Sequence, residues 1–270
     1  MYPFIHIGPL TLGSYGIMVA LGLICAFFVL RADLRRRGYA ADAENIIGTT
    51  GLAGLAGARL YHLLESPSEF FAHPLPLLFS TMGFAWFGAV IGGFVALVLL
   101  ARHYKMSVPL MLDIASPAAA IGYGLGRIGC LISGDGDYGT PTSLPWGMSF
   151  PNGLVPTTQR VHPTPIYEFL GAILIGYILW RIGGRAVGGL RPAGEVFAFY
   201  LILTGVARFL VEFIRINPRS FFGLTNAQAA SVASIILGII LLMLLARRIR
   251  PKTVIGTSPQ AVRRPVLRKP

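Results

Sequence analysis

The chain has 270 residues, of which 54% are apolar and only 13% charged, with a net charge of +12 and a mean hydropathy of +0.66. Soluble domains carry about 25% charged residues, so this composition cannot cover a water-facing surface, and the basic charge is not read as a nucleic-acid interface. Two cysteines exclude a disulfide scaffold and a four-cysteine metal site, which leaves an integral membrane protein.

Crossing the hydrocarbon core takes about 20 mainly apolar residues. Seven segments qualify: residues 13–31, 43–64, 80–101, 109–131, 163–181, 194–214 and 225–246. They are far too long for barrel strands and lack period-two alternation. The first and last are uninterrupted, with no Asp, Glu, Lys or Arg in residues 1–30 or 220–246. No basic stretch precedes the first, which argues against a cleaved signal peptide. Residues 66–79 form an outer segment too short to span. The connection 132–162 is dense in Gly and Pro and predicts a small outer head with short strands; long connections of this kind often carry function. The fold class is therefore an all-α membrane protein of seven transmembrane helices. It divides into a membrane domain, 1–246, and a basic tail, 247–270, rich in Pro and Arg and expected to be disordered.

Basic residues in the connections set the orientation. Seventeen lysines and arginines follow spans 1, 3, 5 and 7, whereas the alternate side holds only Arg160, Arg215 and Arg219. The N-terminus is expected outside and the C-terminus inside, where anionic lipid headgroups attract the tail.

Three arginines remain inside apolar segments: Arg59, Arg127 and Arg208, with Glu168 and Glu212. A charge at mid-bilayer costs at least ~2.5–3.5 kcal/mol, so such residues are functional candidates by default. At 1.5 Å per residue the arginines lie about 20–27 Å above the inner face. Shared depth on three helices suggests a buried anion, and guanidinium forks match phosphate or carboxylate. At that depth the simplest anion is a phospholipid headgroup. The structural alternative is mutual neutralisation. Arg208 and Glu212 are spaced i,i+4, and Glu212 and Arg215 i,i+3, whereas Arg127 has no acidic residue one turn away and Arg59 has room to snorkel. Glycines at 51, 54 and 57, and at 122, 124, 126 and 129, suit close helix packing; Gly126 and Gly129 also flank Arg127 closely enough to admit a headgroup. Cys25 and Cys130 read as small buried hydrophobes. The run Asp135-Gly-Asp137-Tyr-Gly139 lacks the glutamate of a calcium loop, since Trp146 stands at the twelfth position; it reads as a tight turn.

At these residues the sequence resembles the prolipoprotein diacylglyceryl transferase family. The resemblance rests on Tyr15-Gly16, Gly57-Ala58-Arg59, Gly126-Arg127-Ile128-Gly129, the run from His162 through Pro163 and Tyr167 to Glu168, and the run from Arg208 through Glu212 to Arg215. It implies transfer of the diacylglyceryl group from phosphatidylglycerol to the lipobox cysteine of a prolipoprotein signal peptide. A thioether forms and glycerol phosphate leaves, at the outer face of a bacterial plasma membrane, without metal or soluble cofactor. The implied partners are phosphatidylglycerol, prolipoprotein signal peptides and membrane lipids, with no nucleic acid. Arg127, Arg208 and His162 are then the catalytic candidates; Tyr15, Arg59, Gly126, Gly129, Gly139, Tyr167, Glu168 and Glu212 are candidates for binding the substrate. Glu168 and Glu212 are expected to orient arginines. The chain departs from the family in four places: Phe87 stands where the family has a histidine, Cys130 where it has Asn and Thr204 where it has Tyr, and the loop after Arg127 is one residue longer. A non-catalytic or lipid-transporting protein that binds an anionic headgroup with the same arginines is the alternative.

Overall fold

The structure, a computed structural model, describes residues 1–65, 67, 85–185, 191–220 and 222–249. Nearly all of the short outer segment 66–79, the first residues of the third span and the tail beyond residue 249 lie outside the described residues.

Seven long helices occur among the described residues: α1 Ser14–Arg36, α2 Ala43–Glu65, α3 Trp86–His103, α4 Val108–Ser133, α5 Thr164–Arg185, α6 Glu195–Val211 and α7 Asn226–Ile249. A 3₁₀ turn, Glu212–Ile214, continues α6. Six are long and apolar enough to cross a membrane, as a multi-pass membrane protein requires. The exception is α2, diluted by Thr49, Thr50 and four glycines. Most helices run past the apolar segment that predicted them, because the polar last turns still satisfy their own backbone: α1 extends from residue 31 to Arg36 and α5 from 181 to Arg185.

Two small antiparallel hairpins accompany the helices. Strands β3 (Met148–Phe150) and β4 (Thr157–Val161) form a small head from the connection 132–162, with the short strands expected there. Its small core is Tyr138, Phe150 and Val161, with Tyr138 stacked on Phe150 at 5.1 Å. Strands β1 (Phe4–Ile7) and β2 (Leu10–Gly13) pair ahead of α1, joined by a turn at Gly8 with φ +60. The sequence reading did not anticipate this hairpin, because it treated the first twelve residues as the approach to a span.

Helix α4 is central and packs on α1, α5, α6 and α3. One core cluster joins α1 and α2 to α4 through Leu30, Ile46, Met111 and Ile114; another joins α4 to α5 and α6 through Ala120, Leu179 and Val196. Two buried carboxylates fix the helix ends opposite the head. Asp113 of α4 accepts the backbone N–H groups of Gly194 at 2.7 Å and Phe197 at 2.8 Å, capping α6 from a neighbouring helix. Asp33 of α1, fully buried, pairs with Arg36 and Arg37. Arg36 also donates to the Trp180 carbonyl at 2.9 Å and lies 3.7 Å from the centre of its ring, tying α1 to α5.

Helices α2 and α3 pair by direct backbone contact. A Cβ on Gly57 would collide with the Gly88 carbonyl oxygen, one on Gly88 with that of Gly57, and one on Gly92 with that of Ala53. Small residues allow this approach between apolar helices. Replacing Gly57 with Val should therefore lower stability by about 1–3 kcal/mol or more through overpacking against rigid backbone. Gly126→Ala, whose added Cβ meets nothing within 4 Å, should change stability little. Thermal unfolding of both variants in detergent checks the contrast.

Candidate functional site

The ends of α4, α5 and α6 converge on one cluster of ion pairs beneath the head. Its centre is Glu168 of α5, whose side chain is 4% exposed. One carboxylate oxygen of Glu168 accepts from Arg208 Nη1 at 2.6 Å and from the Tyr123 hydroxyl at 2.7 Å. The other accepts from Arg215 Nη1 at 3.2 Å and lies 3.6 Å from Arg127 Nη1. Three arginines on three segments thus share one buried carboxylate.

Two more carboxylates balance the charge. Glu212 pairs with Arg208 at 3.0 Å, lies 3.7 Å from Arg215 Nε and accepts from Asn217 at 2.5 Å. Asp137, from the loop after α4, bridges Arg127 with one oxygen and Arg215 with the other. Its own carbonyl accepts from Thr164 Oγ1 and from Arg215 Nη1. Burial pushes the Asp137 carboxyl up, but Arg127 and Arg215 more than offset it and hold the group below the usual carboxylate range.

The Gly-rich loop brings Asp137 back to the helices. Gly134 ends α4 in the left-handed region at φ +60, and Gly136 follows at φ +92. Asp135 Oδ1 then accepts the Asp137 N–H at 3.2 Å, closing the tight turn the sequence predicted. Gly139 bridges to Arg215, and a Cβ there would strike the Ile214 carbonyl, so only glycine fits between head and α6.

The expected residues fall into three groups, with Arg59 apart from them. Arg127, Arg208, Glu168 and Glu212 meet in the cluster. Tyr15 and Gly129 adjoin it from α1 and α4, and they pack on each other: a Cβ on Gly129 would lie 3.1 Å from the Tyr15 ring. Gly129 therefore seats α1, whereas the Gly126 face is open. His162 and Tyr167 form a separate pair at the head, with His162 Nδ1 3.3 Å from the Tyr167 hydroxyl, which in turn accepts from Trp146 at 2.8 Å. Arg59 is buried on α2 and takes no part in the ion pairs around Glu168.

Arg127 lacks an acidic residue one turn away in sequence, but in space it has two partners, Asp137 and Glu168. The turn folds back, and a helical neighbour count cannot register that. The sequence reading also missed Asp137, taken only as a turn residue, and Arg215, counted as an outer basic residue. The i,i+3 spacing of Glu212 and Arg215, and the place of Arg215 in the run that resembles the family, were signals that could have drawn it in.

The guanidinium of Arg127 is not saturated. Among the described residues, carboxylates engage only its Nη1, while its side chain is 15% exposed and its Cζ lies 5.0 Å from the centre of the Tyr123 ring. Two donor nitrogens thus remain for an anion. As for metal ligands, Cys130, Asp135 and Asp137 offer donor atoms within 4.8 Å of one another, but Asp137 has both oxygens on arginines. Removing the shared carboxylate should be severe. Glu168→Ala leaves three arginines facing one another and is expected to cost about 3–5 kcal/mol, as loss of one partner of a buried pair does. Thermal unfolding of the variant beside Glu168→Gln, which retains an acceptor, reads that cost.

Comparison with known proteins gives the same family from three-quarters or more of the chain. The prolipoprotein diacylglyceryl transferase family matches residues 3–244. A phosphatidylglycerol–prolipoprotein diacylglyceryl transferase of Geobacter sulfurreducens is 37% identical over 257 residues, 91% of this chain and 95% of its own. Proteins of the same description from Clostridium tetani, 34% identical over 233 residues, and Bordetella avium, 32% identical over 259, cover 85% and 90% of this chain and 92% and 94% of their own lengths. The chain belongs to the prolipoprotein diacylglyceryl transferase family.

Proposed function

We propose that the arginine cluster holds the phosphate of phosphatidylglycerol while its diacylglyceryl group moves to the lipobox cysteine of a prolipoprotein. The overall reaction is that of the family: a thiol sulfur bonds to the glyceryl carbon, the carbon–oxygen bond to phosphate breaks, and glycerol phosphate leaves. The observation that carries the assignment of residues is the unsaturated guanidinium of Arg127 beside Arg208, both aligned by Glu168.

Each residue has a physical task. The leaving phosphate changes from a diester to a monoester and gains negative charge. Fixed donors aimed at developing charge stabilise a transition state without reorganising. Arg127 and Arg208, with side chains 15% and 26% exposed, are placed to make those contacts. Arg215, only 5% exposed, acts behind them by holding Glu168 and Asp137. Glu168 and Glu212 orient the guanidinium groups, and Gly126 leaves open space beside Arg127. Tyr15 flanks the approach from the lipid side, with His162 and Tyr167 above it at the head. Arg59 contributes positive charge from α2. The protein is a multi-pass membrane protein, and we place it in the bacterial inner membrane with all seven helices spanning, α2 included through its backbone pairing with α3, and the cluster toward the outer leaflet.

Lysine should not replace Arg127. Its single nitrogen would be consumed by Asp137 and Glu168, whereas arginine has donors to spare. Arg127→Lys and Arg208→Lys are each expected to lose most transfer, by roughly 10²-fold or more as for removal of one transition-state donor. The variants should remain folded. The readout is thioether formation on a reporter prolipoprotein in cells depleted of their own transferase. Orientation has its own check. A cysteine replacing Lys105 should be silent to an impermeant thiol reagent in intact cells, and one replacing Thr142 should react; the reverse pattern would invert the topology.

A further inference from the structure

Phe87 puts a ring without a titratable proton where the family resemblance leads one to expect a histidine, so the thiol proton needs another acceptor. The head loop contains a carboxylate that the ion-pair cluster does not use. Asp135 takes part in no ion pair among the described residues; its Oδ1 accepts the Asp137 N–H, and its carboxylate also meets the Cys130 thiol. It is half-buried at the rim of the cluster. An Asp135 carboxylate oxygen lies within 4.8 Å of both Cys130 Sγ and an Asp137 carboxylate oxygen, and Asp137 is bonded to Arg127. Asp135 therefore stands one residue removed from the guanidinium that faces the phosphate.

That separation suits the reaction. A sulfur about to attack the glyceryl carbon lies roughly 3–3.5 Å from it, and the carbon is separated from phosphorus by one ester oxygen. A base within hydrogen-bond reach of the sulfur, about 2.6–3.2 Å, then falls a few ångströms beyond the phosphate-binding arginine. From the geometry we infer that Asp135 is the general base that accepts the proton of the prolipoprotein thiol. The inference rests on the transferase reading above. The S–H proton passes to an Asp135 oxygen, and the sulfur electron pair forms the S–C bond. The C–O bond breaks with its pair going to the phosphate oxygen, and the proton then passes to the departing phosphomonoester, so atoms and charge balance without a co-reactant.

The surroundings of Asp135 favour proton uptake. Tyr15 faces it from α1, Arg127 and Cys130 from α4, and Asp137 from its own loop. Burial raises the proton affinity of its carboxyl, and the like charge of Asp137 raises it further, against the smaller opposing effects of the Cys130 and Asp137 N–H contacts and of Arg127. Arg127 in turn favours the thiolate form of an incoming cysteine, bringing donor and acceptor closer in proton affinity.

The test is Asp135→Asn in the full-length protein, which keeps the side-chain oxygen that receives the Asp137 N–H. Thioether formation on a lipobox peptide is measured in phosphatidylglycerol-containing vesicles across pH. We expect kcat to fall about 10²–10⁴-fold near neutral pH, as for loss of a general base, with KM for the lipid changed less than about twofold. The acid limb of the wild-type profile should disappear. The deficit should also shrink as pH rises past the ordinary thiol value of about 8.5, because an already ionised thiol needs no base. A variant that is merely misfolded would be equally impaired at every pH, and that result would overturn the inference. So would an Asp135→Asn enzyme with wild-type kcat and an unchanged acid limb, leaving the transferase reading intact. A wild-type protein that forms no thioether would overturn both.

Discussion

One carboxylate holds three arginines at the head end of the helices. Glu168 is buried, and the arginines reach it from α4, α6 and the segment after α6. Each positive charge would be prohibitively costly in hydrocarbon by itself. Together with Asp137 and Glu212 they form a set in which charges balance and most donors find acceptors. The cost of burial is offset only if the set assembles whole. Helix α5, the head loop and the end of α6 must therefore arrive together, which makes the head part of the site and not a decoration above it.

Balance leaves the question of how an anion could bind there. The answer lies in how unevenly the carboxylates are distributed over the guanidinium nitrogens. Arg215 is enclosed among its carboxylate partners, whereas among the described residues carboxylates engage only one nitrogen of Arg127. A single side chain thus belongs to the scaffold at one edge and stays open to an anion at the other, as the proposed function requires. The five donors of a planar guanidinium permit that division, and the point charge of an ammonium does not.

Much of this was readable in the sequence because it follows from local rules. Apolar length gave the helices, and rise per residue put Arg127 and Arg208 at one depth. The i,i+4 rule linked Arg208 to Glu212. What stayed hidden was contact between residues distant along the chain. Asp137 and Arg215 are 78 residues apart, yet they form one of the ion pairs that close the site. No periodicity registers a loop returning to a helix end. Gly129 shows the same limit on a smaller scale: its sequence context suggested access for a ligand, while the side that faces α1 is filled by Tyr15 and Met18.

The cap that Asp113 places on α6 has a metrical consequence. It pins the start of α6, at Gly194, to the level of Asp113 on α4. Fourteen residues above that pin on α4 is Arg127, and fourteen above it on α6 is Arg208. Two parallel helices counted from a common zero therefore deliver their guanidinium groups at the same height, about 21 Å away. The bond acts as the zero mark of a double ruler. Inserting or deleting one residue on either scale would shift that arginine by 1.5 Å and swing it about 100° around its axis, off Glu168, without disturbing the apolar contacts at the Asp113 end.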